Sequence, residues 1–223
     1  MSIIQTELVT CPACNFLQER QVARSVNAQR APHLRDQVLA GTLQRTVCDG
    51  CHRPFELAGR FLYVDFARGH WFGVLPRGEA VVLAEEEALL AQTFRKAVLE
   101  APLVVRELGA TARVRMVFGV DDLREKVVVF DAGLDDLAVE RLKLLMNAEA
   151  PAGFELEQGA RLSLRAADGA WLSFEWVARD EVRRFDWPVA RALYDDVVAN
   201  EDAALRSAFD GLLWVDARRL LPA

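Results

Sequence analysis

Cys11-Pro12-Ala13-Cys14 and Cys48-Asp49-Gly50-Cys51 hold all four cysteines of the chain. Each is a Cys-x-x-Cys turn, which presents two sulfurs from one tight loop. Zinc takes four tetrahedral ligands and accepts thiolates at about 2.3 Å, so two such turns fill its shell and leave no open position. Four cysteines scattered through 223 residues would instead read as small buried hydrophobes. Two pairs at one spacing, with none left over, predict a single structural Zn2+ held by Cys11, Cys14, Cys48 and Cys51.

The backbone of such a knuckle often needs positive φ just after its second cysteine, where Asn and His are enriched among non-glycine residues. Asn15 and His52 occupy those places, and Gly50 gives the second turn further conformational freedom. His52 is also an alternative ligand in place of one cysteine, whereas His33 and His70 have no ligand spacing and read as ordinary surface or core histidines. The rival chemistry is redox, because Cys-Pro-Ala-Cys resembles a thiol-oxidoreductase motif. That reading requires a helix after Cys14 to lower the thiol pKa. Residues 17–26 are polar-rich without a helical apolar stripe and predict an exposed strand. Structural disulfides would need an oxidising compartment, to which nothing in the sequence points.

Composition bounds the rest. The first residues lack the basic start and apolar stretch of a signal peptide, and no apolar run reaches the roughly 18 residues that span a bilayer. A cytoplasmic protein with reduced thiols is expected. The formal net charge of −6 argues against general nucleic-acid binding. Residues 1–80 nevertheless hold nine arginines against seven acidic residues, so Arg20, Arg24, Arg30, Arg35 and Arg45 form a candidate local nucleic-acid face. A solvated surface is the plainer reading of the same residues.

Residues 3–10 and 17–26 predict strands on either side of the first knuckle. Pro32 suits the first turn of a short helix with Leu34, Val38 and Leu39 on one face and Gly41 as its stop. Residues 43–47 predict the strand entering the second knuckle, and 60–66 with 70–75 predict a hairpin turning at 67–69. This is a zinc-ribbon plan with a helix inserted between the knuckles.

Residues 7–80 resemble the CpXC family of bacterial and archaeal proteins, named for two Cys-Pro-x-Cys turns. The likeness rests on 10–14, on Pro32-His33-Leu34-Arg35-Asp36-Gln37-Val38-Leu39-Ala40-Gly41-Thr42-Leu43, on 47–51 and on Leu62-Tyr63-Val64-Asp65. Asp49 departs from the pattern by replacing proline, and Asn15 and His52 by standing where glycine is common. No ligand is lost, and a looser second turn is expected. The resemblance implies a fold and a metal; longer family members also share Phe118-Gly119 and Leu123-Arg124-Glu125-Lys126, less specifically.

A second domain, 81–223, is expected to mix helices with antiparallel strands. Glu85-Glu86-Glu87 favours a helix start, with Leu90, Phe94, Ala97 and Ala101 as its stripe and Pro102 at its end. A strand at 113–118 leads to a helix capped by Asp121 and stopped by Gly133. Asp135 opens the next, which carries Leu137, Leu144 and Leu145, and Pro151 lies beyond its end. Strands are predicted at 154–157, 161–165 and 171–176, with a turn at Asp168-Gly169, and helices at 188–198 and 201–209. A short apolar run, 212–215, follows.

No phosphate loop, dinucleotide fingerprint or hydrolytic triad occurs. The pairs Asp121-Asp122, Asp135-Asp136 and Asp195-Asp196 lie near predicted helix ends, where capping accounts for the first two without catalysis. The five tryptophans read as core or interface rings, and one exposed beside the knuckles would be the exception of interest. The sequence therefore predicts an α+β zinc-binding protein that works by binding another protein or a second copy of itself. The alternatives are a nucleic-acid-binding zinc ribbon and an enzyme with its site in the second domain; no catalytic residues are assigned and no membrane association is expected.

Overall fold

A computed structural model describes residues 2–78 and 81–221. The class is α+β, and the chain forms two compact units, Met1–Leu123 and Arg124–Ala223. The stretch 1–80 thus lies inside a first unit that continues through further helices and one more strand.

That unit is built on a five-stranded sheet. Its elements are β1 (Ile3–Thr10), β2 (Leu17–Asn27), α1 (Pro32–Ala40), β3 (Arg45–Val47), β4 (Pro54–Glu56), β5 (Phe61–Asp65), β6 (His70–Leu75), α2 (Leu83–Phe94), α3 (Leu103–Gly109) and β7 (Arg113–Phe118). The sheet order is β1-β2-β5-β6-β7, while β3 and β4 pair separately. The hairpins β1–β2 and β5–β6 are antiparallel, but β2 joins β5 and β6 joins β7 in parallel. Parallel partners need a crossover. The first crossover contains α1 and the second knuckle, the other α2 and α3.

Helix α1 follows its sequence reading: Pro32 lies in the first turn, Leu34 and Val38 are buried, and Gly41 adopts φ 69° as its cap. Tyr63 and Phe72, both fully buried, stack across the β5–β6 hairpin at 5.9 Å. Helix α2 departs from expectation at its end, where residues 95–99 form a π turn. The wider turn carries Val98 inward and leaves Ala97 exposed. Val98 then packs on Gly109, where an added Cβ would lie 2.1 Å from its Cγ1.

Helix α4 (Gly119–Asp131) carries the chain out of the first unit. The second unit continues with α5 (Asp136–Asn147), β8 (Arg161–Ala167), β9 (Trp171–Val177), β10 (Arg184–Ala190), α6 (Arg191–Ala199) and α7 (Ala203–Ala208). Its sheet runs β10-β9-β8, antiparallel throughout. Leu162, Leu164, Leu172, Phe174, Trp176 and Val189 form the buried face, with Phe154, Phe185 and Trp187 ringed around Trp176. The turn after β8 is tied by the Asp168 carboxylate, which accepts the N–H groups of Ala170 and Trp171 at 2.7 Å.

Three expectations need correction here, and a fourth element shows an unexpected buried face. Residues 156–158 form a 3-10 turn where a strand is predicted. Pro188 lies in β10, not at a helix start; β10 is an edge strand, where a missing N–H costs no ladder bond. Helix α4 begins at Gly119, so Asp121 belongs to its first turn and does not cap it. In α5 the buried positions are Asp136, Val139, Glu140, Leu142, Lys143 and Met146, and Leu145 is exposed. Among the described residues no helix is long and apolar enough to cross a membrane.

Candidate metal centre

Each knuckle closes the tip of a hairpin. The last strand pairs are Thr10↔Leu17 in β1–β2 and Val47↔Pro54 in β3–β4, so both tips contain six residues. Their hydrogen bonds repeat. Cys11 N–H donates to Phe16 O at 3.0 Å and Asn15 N–H to Cys11 O at 2.9 Å; Cys48 donates to Arg53 O and His52 to Cys48 O at the same two distances. Asn15 and His52 both take φ 59°, as the sequence predicts. The N–H of Ala13 reaches Cys11 Sγ at 3.4 Å, and that of Gly50 reaches Cys48 Sγ at 3.3 Å. The two tips are one structure built twice.

Facing each other, the tips bring the Sγ atoms of Cys11, Cys14, Cys48 and Cys51 within 4.8 Å of one another, an arrangement able to hold a metal ion. Cross-knuckle sulfurs lie 3.8 Å apart for Cys11–Cys51 and 3.6 Å for Cys14–Cys48. Cys11 and Cys48 are fully buried, Cys51 is half-buried and Cys14 exposed. The thiols are strongly unequal. Burial works to raise Cys48, but the backbone N–H groups of Cys51 and Gly50 and the thiols of Cys11 and Cys14 draw it down to about 6. A backbone hydrogen bond at Phe16 works to lower Cys14, yet burial and its three sulfur neighbours push it up to about 12. A soft cation is what such a crowded, all-sulfur donor set suits.

His52 is exposed and lies outside the sulfur cluster, and the chain after Cys14 enters β2, not the helix that the redox reading requires. His33 is exposed and His70 is buried, its ring 5.1 Å from that of Phe72 and 6.5 Å from that of Tyr63. Trp71 is buried; the exposed aromatic ring at the knuckles is Phe16, packed on the second turn. An added Cβ at Gly50 would lie 2.9 Å from Phe16 Cγ. Gly50 has no positive φ, so it serves that close approach and not the freedom read from the sequence.

Asp49 makes the second turn tighter where a looser one is expected. Its N–H donates to Gln18 Oε1 at 2.9 Å, and its carboxylate takes Arg20 Nη2 at 2.5 Å. Arg20 also donates to Thr46 Oγ1, Gln18 Oε1 and Val47 O, each at 2.9 Å. The Arg20 guanidinium holds the Asp49 carboxyl below its usual range. One residue back from β3, Gln44 pairs with both backbone groups of Ala23, fastening the hairpin to β2. Gln18, Arg20 and Gln44 carried no sequence signal beyond the N–H that Asp49 frees in place of proline.

The acidic pairs scatter to separate duties. Asp121 and Asp122 meet Arg45 and Arg77; Asp135 caps α5 by accepting Ala138 N–H at 2.8 Å; Asp195 pairs with Arg191 on the surface. Asp136 belongs to a group that sequence reasoning missed. Lys126 contacts Glu140 at 2.9 Å and Asp136 at 3.6 Å, while Lys143 contacts Glu125 at 2.8 Å and Glu140 at 3.1 Å. All five are buried. Glu125 accepts Leu164 N–H at 2.6 Å and Glu140 accepts Ala217 N–H at 3.0 Å, so the group ties β8 and the C-terminal segment to α4 and α5. Burial pushes the Glu125 carboxyl up against the pull of Lys143. At Asp216 burial acts the same way, but the charge and hydrogen bonds of Arg218 outweigh it and hold the carboxyl far down.

No curated protein and no solved structure matches the chain. The family model described as CpXC protein matches residues 9–143, from just before the first knuckle to Lys143 at the buried charged group. With well over half its length matched, the chain belongs to the CpXC protein family.

Proposed function

We propose that this chain is a zinc-binding protein in which Cys11, Cys14, Cys48 and Cys51 hold one structural Zn2+ and that it works by binding another protein. The convergence of four sulfurs within 4.8 Å, with no other ligand type among them, is the observation that carries the metal assignment. Four thiolates complete a tetrahedral zinc and leave it no site for substrate. Its part is then to hold two hairpin tips together, one of them borne on strands of only three residues. Protein binding is supported by Leu8, Phe16, Leu17 and Val47, large apolar side chains left exposed on the knuckle-bearing strands and tip.

The alternatives draw less support. Of the arginines that suggest a nucleic-acid face, Arg20, Arg24, Arg35 and Arg45 are ion-paired with Asp49, Glu7, Asp65 and Asp121. The buried carboxylates with a displaced pKa, Glu125 and Asp216, are enclosed among lysines, Arg218 and backbone N–H groups.

Native and denaturing mass spectrometry with a thiol count tests the metal. One zinc per chain is expected, with four thiols free only after denaturation; a metal-free chain with a reducible disulfide would overturn it. For the partner, Leu17→Glu should retain zinc and lose a stoichiometric protein that co-purifies with the parent. Equal recovery by both chains would count against an interface at the knuckles.

A further inference from the structure

We infer that metal occupancy at the four cysteines and the seating of the N-terminus of α4 are coupled through the hairpin β3–β4. This rests on the zinc reading above and adds a second end to the same hairpin. A two-stranded hairpin is marginal alone, and this one has three pairs, from Arg45↔Glu56 to Val47↔Pro54. Its tip is the second knuckle. Its open end grips α4: Arg45 Nη2 lies 2.8 Å from Asp121 Oδ1, and Glu56 Oε1 accepts Val120 N–H at 3.3 Å.

Arg77 completes that grip. Its guanidinium donates to Phe118 O at 3.1 Å, Asp121 Oδ2 at 3.2 Å and Asp122 Oδ1 at 3.1 Å. Gly119 allows the close approach, since it has φ 77° and an added Cβ would lie 2.9 Å from Arg77 Nε and 3.2 Å from Glu56 Oε1. Arg45 and Glu56 are cross-strand partners, so both reach α4 only while the hairpin keeps its register. Metal fixes that register from the tip; Asp121 and Val120 fix it from the base. Two ligands of one element must affect each other reciprocally. Loss of the base therefore weakens metal binding, and loss of metal loosens the first turn of α4.

The test uses the full chain and Asp121→Asn, a variant distant in sequence from every cysteine, in competition with a chromophoric zinc chelator. Apparent zinc affinity should fall by about five- to tenfold with one zinc still bound at saturation. A residue acting only on local helix stability would leave the affinity unmoved, and an unmoved affinity overturns the coupling. Amide exchange on the parent chain needs no variant: chelation should speed exchange at residues 120–123 more than in β5 and β6, and equal protection with and without zinc would also overturn it. A parent chain that binds no zinc would instead remove the metal reading beneath it.

Discussion

Asp49 departs from the family pattern, and its surroundings explain why the departure is tolerated. A proline there could not donate to Gln18 and would leave Arg20 without its carboxylate. Asp49→Pro, although it restores the Cys-Pro-x-Cys form, should therefore lower the urea midpoint of the first unit; an unchanged or raised midpoint would show the clamp to be idle. At Gly50, alanine forces its Cβ to within 2.9 Å of Phe16 Cγ and should cost about 1–3 kcal/mol, with part of that recovered in Gly50→Ala/Phe16→Ala, which removes that Cγ. Asp216 gives a pH signature. Its folded pKa lies below the unfolded one, so its contribution is full above the unfolded value, about 4, and is lost as pH falls toward the folded value. The stability gap between the parent and Asp216→Asn should be full at pH 7, begin to shrink below about pH 4 and still be mostly present at pH 3, because the folded carboxyl titrates well below that pH.

Among the elements, those ended by local chemistry were legible. Pro32 and Gly41 bracket α1, Asp135 caps α5, and β7 spans the predicted residues, because each boundary depends on residues within a turn of it. Failures came where distant packing decides. In α5 the inward face is half charged, so apolar pattern alone does not mark it: Leu137 and Leu144 are half-buried and Leu145 is exposed, while Asp136, Glu140 and Lys143 are buried. The π turn of 95–99 likewise shifts the inward register by one residue, to suit a glycine in another helix. Breaking a buried pair leaves an uncompensated charge, so Lys143→Met should destabilise the second unit by about 3–5 kcal/mol. A cost below about 1 kcal/mol would mean that Glu125 and Glu140 find water or protons cheaply.

For the whole molecule, the convergence of the four cysteines was readable because four residues of one chemistry recur at one spacing. The partners that fasten it, Gln18, Arg20 and Gln44, were not, since their roles depend on strands meeting across the sheet. The parallel joins β2·β5 and β6·β7 were equally silent, because pattern shows where a strand lies but not its neighbour. The two units each bury a core of their own. Chelation should accordingly lower the thermal transition of the first unit and leave that of the second in place; a single transition that moves as one would contradict this.

Within each of the duplicated tips the two cysteines differ in depth, with the first, Cys11 or Cys48, sealed and the second, Cys14 or Cys51, toward solvent. Affinity belongs to all four sulfurs, but the pace of exchange belongs to the outer two. An incoming acceptor would displace Cys14 first and Cys51 next, while the inner pair still retains the ion. A metal held by these four sulfurs would be slow to escape unaided yet open to direct hand-over, so its off-rate should rise with acceptor concentration.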